Sequence, residues 1–76
     1  MKYIVMEIQS NEDGTVGTLV DSFDEFNLAE QKYHMVLAYA AVSSVWTHSC
    51  VMLTDDGRFL KGDTYDHRPI EEPEAE

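Results

Sequence analysis

Apolar and polar positions alternate over residues 3–9, Tyr-Ile-Val-Met-Glu-Ile-Gln, with Ile4, Met6 and Ile8 on one face. Such a run of β-branched and aromatic side chains at period two predicts a strand. Asn11-Glu12-Asp13-Gly14 is a turn cluster in which Gly14 can supply a positive φ. Thr15 to Ser22 returns to strand composition, with Val16 and Val20 on one face and Leu19 on the other, which makes the pair a hairpin. Residues 45–54, Val-Trp-Thr-His-Ser-Cys-Val-Met-Leu-Thr, read as a third strand, Asp55-Asp56-Gly57 as a tight turn, and Arg58 to about Tyr65 as a fourth strand.

Between the hairpins the period changes to that of a helix. Asn27 is a suitable N-cap and Glu30 stands three residues later, as in a capping box, while Asp24 and Glu25 place negative charge near the positive end of the dipole. Nothing breaks the helix from Leu28 to about Ser43, and four alanines favour it. Ala29, Tyr33, Val36, Leu37 and Ala40 form one stripe, which is expected to pack on the sheet. A second stripe, Leu28, Met35, Tyr39 and Val42, lies nearly opposite. One sheet needs only one apolar helix face, so the second stripe, joined by Trp46, is expected to meet another subunit or a partner. The order strand, strand, helix, strand, strand (ββαββ) predicts an α+β fold: an antiparallel sheet of two hairpins with one helix between them. The domain is expected over 1–67, and the Pro- and Glu-rich stretch 68–76 as a disordered acidic tail.

A chain of 76 residues makes one small domain, and its 43% hydrophobic content supports a real core. Cys50 is the one cysteine, which excludes an internal disulfide and points to a reducing cytoplasm. No apolar run approaches the roughly 20 residues of a membrane span. Fifteen acidic residues against five basic ones give a formal net charge of −10. Four of the acids lie in the last six residues, so the body stays acidic without them. Such a surface repels phosphates, which argues against direct nucleic-acid binding and favours a basic protein partner.

The sequence offers little chemistry. His48 and Cys50 alternate on a strand and point the same way, but a tetrahedral metal site needs two more ligands. A Cys–His nucleophile pair needs an orienting third group and a concave site. Asp55-Asp56-Gly57 lacks the spacing of a calcium loop, and the four glycines are scattered rather than gathered in a phosphate-binding loop. No catalytic residue, metal or cofactor is therefore expected, and the chain reads as a non-enzymatic binding protein.

The opening Met1-Lys2-Tyr3-Ile4-Val5-Met6-Glu7-Ile8-Gln9, the segment Ala29-Glu30-Gln31-Lys32-Tyr33-His34 and the stretch Val51-Met52-Leu53-Thr54-Asp55-Asp56-Gly57 resemble a group of small uncharacterised proteins encoded by phages and mobile elements of gut Gram-positive bacteria. The resemblance covers roughly residues 1 to 67, and none of the three segments is a functional motif, so it assigns no site residue. What it implies is a setting in which small acidic proteins disarm host defences by binding. Two functions are expected from it: an inhibitor that docks on a basic host protein such as a defence nuclease, or a homo-oligomeric sponge that sequesters a small signalling nucleotide. A structural or assembly protein of the mobile element is the third.

Overall fold

A computed structural model describes residues 1–68 of the chain, and within them the elements run β1 (Tyr3–Ser10), β2 (Val16–Phe23), α1 (Phe26–Ala40), β3 (Thr47–Thr54) and β4 (Phe59–Asp66). They form the expected α+β arrangement, an antiparallel sheet in the order β2-β1-β3-β4 with α1 across one face. Of the acidic tail expected over 68–76, only Arg68 lies within the described residues.

Both hairpins turn the same way. Each connection has three residues, Glu12–Gly14 and Asp55–Gly57, closed by Asn11 N–H to Thr15 O and Thr54 N–H to Arg58 O, both at 2.9 Å. The last residue of each connection sits in the left-handed region, Gly14 at φ 90° and Gly57 at φ 88°, where a side chain would be strained. The second turn is thus one residue longer than the tight two-residue connection that Asp-Gly favours. The two hairpins join along β1 and β3, from Tyr3 opposite Thr54 to Ser10 opposite Thr47.

The helix begins earlier than its capping signal predicts. Glu25 is the N-cap, in extended backbone and without a side-chain cap, and Asn27 lies inside the first turn. The Phe26 ring packs edge-on against Tyr3 with centroids 5.5 Å apart. Winding Phe26 into the helix makes that contact, and edge-on ring packing worth about 0.5–1.5 kcal/mol offsets a local cap worth about 1 kcal/mol. Glu30 then serves Lys61 of β4 instead of reaching back to the helix start. The helix also stops at Ala40 rather than Ser43. Its end tightens through Val42 N–H to Tyr39 O and Ser43 N–H to Ala40 O, and the His67 imidazole donates to the Ala40 carbonyl at 2.7 Å.

The core is small and lies between α1 and the central strands. Ala29, Tyr33 and Val36 from the helix meet Val5 of β1 and Cys50 and Met52 of β3, with Leu37, Tyr3 and Phe23 packed at the margin, and Ala40 is buried at the helix end. Ion pairs clamp the helix on both flanks: Lys32 reaches Asp21 of β2 at 3.4 Å, and Glu30 reaches Lys61 of β4. The Lys61 ammonium also stands 5.3 Å from the Tyr33 ring centroid.

Candidate functional site

The outer side of α1 carries the second stripe in the open. Leu28, Met35 and Tyr39 are 48%, 46% and 65% exposed, and Val42, in the turn after the helix, is 84% exposed. At roughly 100° per residue, Leu28, Met35 and Tyr39 centre roughly 110° from the buried stripe of Ala29, Tyr33, Val36 and Ala40, which leaves them open. Trp46 is half-buried and lines an open cleft of about 440 Å³ with Ser44, Val45 and the β1–β2 turn residues Asn11, Glu12 and Asp13. The carboxylate of Asp13 is committed there to the turn, accepting from the Thr15 amide at 3.0 Å and from its hydroxyl at 2.8 Å, which lowers its pKa.

The charges divide into two sets. Lys2, Lys32, Lys61 and Arg68 are paired with Asp24, Asp21, Glu30 and Asp66. The Arg68 guanidinium and its backbone N–H hold Asp66 at about 2, well below the usual carboxylate range. Glu12, Glu25, Asp55 and Asp56 stand exposed, and among the described residues none of them has a Lys or Arg within ion-pair distance, just as Arg58 has no carboxylate.

Beneath the helix, on the sheet, Glu7 and His48 form a buried polar contact that the sequence reading missed. His48 Nε2 meets Glu7 Oε2, and Gln9 donates to the same oxygen at 3.0 Å. A carboxylate in the middle of an apolar strand is the signal that could have found it. Nδ1 of His48 is buried without a hydrogen-bond partner among the described residues. Cys50 does share this face with His48, as the alternation predicts, and stands opposite Glu7 in the strand register. Burial pushes its thiol up to about 11, the Glu7 charge adds to the shift and Lys32 opposes it, so at neutral pH the sulfur is a protonated, fully buried thiol. A thiol in that state is a poor nucleophile and a poor metal ligand. Among the described residues no three His, Cys, Asp or Glu side chains gather as a metal site requires, and no helix is long and apolar enough to cross a membrane.

The site residues therefore separate into an exposed helix stripe, an acid-rimmed cleft at Trp46 and a buried polar contact that ties β1 to β3. No protein-family model, no curated protein and no solved structure matches this chain.

Proposed function

We propose that this chain is a small acidic binding protein without catalytic activity that docks on a basic surface of another protein. In the phage and mobile-element setting its partner is a host defence protein, such as a nuclease whose nucleic-acid groove it covers. The observation that carries this reading is the division of the charges. Four of the five lysines and arginines are neutralised within the chain, whereas Glu12, Glu25, Asp55 and Asp56 face solvent without such partners among the described residues. Carboxylates without a lysine or arginine partner steer a cationic one, and the exposed stripe of Leu28, Met35 and Tyr39 beside Glu25 offers apolar anchors once it arrives. The same division gives less support to a nucleotide sponge, because Arg58 is the cation left for phosphates.

The test is inhibition of DNA cleavage by basic host defence nucleases, titrated with the purified chain at low and at physiological salt. Inhibition that weakens as salt rises, and that is lost in the Glu12→Gln, Glu25→Gln, Asp55→Asn variant, is the expected result. Failure to bind or inhibit any of a panel of such nucleases at low salt overturns it.

A further inference from the structure

The pairing register assigns the strand residues, Leu60 at the β4 bulge apart, to one of two sheet faces. On the side away from α1 stand Ile4, Met6 and Ile8 of β1, Val16, Thr18 and Val20 of β2, Ser49, Val51 and Leu53 of β3, and Phe59, Gly62 and Thr64 of β4. Among the described residues the charge on this side is Asp66, at a corner and held by Arg68. The helix side of the same sheet carries Glu7, Asp21, Lys61 and Asp63. In a chain of net charge −10, the face of the sheet whose one strand charge is a paired corner carboxylate is the one left open. Val20 and Phe59 are 56% and 60% exposed there, and the apolar side chains of β1 and β3 between them are half-buried only by their neighbours.

We propose that this open face binds a second copy of the chain, so that two sheets pack face to face with both helices outward. The area suffices. Four eight-residue strands, at a rise of about 3.4 Å and a spacing of about 4.8 Å, cover roughly 500 Å² per copy. Two such faces together reach the roughly 1,000 Å² that a specific interface requires. Charge selects the occupant. A basic partner gains nothing from a face without unpaired carboxylates, whereas an identical acidic copy can approach it without placing like charges in the seam. A two-fold axis makes one patch complementary to itself, and aligned sheets pack about 10 Å apart by interdigitating such apolar rows. The helix stripe, which the sequence alone nominates for self-association, is a narrower seam and is flanked by Gln31 and Lys32. Pairing through the sheet leaves that stripe free for a different protein.

The experiment is sedimentation equilibrium of the full chain at micromolar concentration across a salt series. The expected result is twice the 8.7 kDa chain mass, with association strengthening as salt screens the repulsion between two acidic copies. That trend is opposite to the one expected for a basic partner, so the two proposals fail separately. Val20→Glu with Phe59→Glu is expected to give a folded monomer by circular dichroism, while Met35→Glu with Tyr39→Glu stays dimeric. Should the sheet variant unfold, isotope-filtered NOEs in a mixed-label sample of the wild type decide, with intermolecular contacts expected at Ile8, Val51 and Leu53. A monomeric wild type, a dimer that survives the sheet variant, or intermolecular NOEs at Met35 and Tyr39 instead would overturn the proposal.

Discussion

Phe59 lies over Gly62 on the open face of the sheet, its ring edge 3.1 Å from the place a Cβ on residue 62 would occupy, with Val51 Cγ1 at 3.0 Å and the Cys50 carbonyl at 3.3 Å. Glycine weakens a strand, so its presence here needs this reason. Gly62→Ala gains backbone rigidity but overpacks the site, and a net loss of about 1 kcal/mol is expected. In a Phe59→Ala background most of that loss should vanish. Urea unfolding of the four-member cycle at one protein concentration measures the coupling, and equal losses in both backgrounds would show that the ring does not occupy that space.

The unfilled cap at the start of α1 is an opportunity to gain stability. Glu25 has the extended backbone of an N-cap, φ −118° and ψ 137°, yet its side chain makes no cap hydrogen bond. Glu25→Ser is expected to raise stability by about 0.5–1 kcal/mol. Asn27→Ala, inside the helix, should be neutral or slightly stabilising. Thermal unfolding checks both, and a loss of about 1 kcal/mol at Asn27 would move the cap to that residue.

Removing His48 leaves the Glu7 carboxylate largely enclosed, with Gln9 as its donor. His48→Ala is expected to lose about 2–4 kcal/mol from the lost contact and the cavity together. Glu7→Gln keeps an amide oxygen for the imidazole N–H and should lose less. If His48→Ala changes the unfolding free energy in urea no more than a surface substitution does, about 0.5 kcal/mol, the pair contributes nothing to the fold.

Cys50 makes stability fall with alkaline pH. The unfolded thiol ionises near 9, whereas the folded one holds its proton to about 11. Between those values the folded chain binds more protons, so the contribution is complete below pH 9 and disappears as pH rises toward 11. Relative to Cys50→Ala, the wild type should lose roughly 2–3 kcal/mol across that window. Parallel urea titrations with pH in the two proteins give the difference, and a constant difference would mean that the thiol is not buried. A thiol reagent at pH 8 should correspondingly react with Cys50 only at the rate of unfolding.

Local signals wrote most of this fold into the sequence. Gly14 and Gly57 mark both turns because positive φ admits few other residues, and the Ala29–Tyr33–Val36–Ala40 stripe marks the buried side of α1 because its period is intrinsic to the helix. What the residues could not announce is which side of the sheet the helix would cover. Alternation puts Ile4, Met6 and Ile8 together, but Tyr3 and Val5 are apolar too, and the choice between the two sides is made by the helix residues that pack against them. The same distance in sequence hid the Glu7–His48 contact and gave Phe26 to Tyr3, at the expense of the Asn27 cap.

The seam between β1 and β3 sets how this chain must fold. Each hairpin can close by itself, since its strands are separated by five residues in the first and four in the second, whereas pairing Tyr3 with Thr54 closes a loop that holds β2, the helix and the rest of β1 and β3. Loop-closure entropy is therefore spent on the central seam late, and hairpin formation in microseconds does not set the overall rate. The transition state is expected to resemble two hairpins meeting over a partly formed helix, so substitutions at Val5 and Met52 should slow refolding, whereas changes at the Gly14 turn should act mainly on its earliest phase.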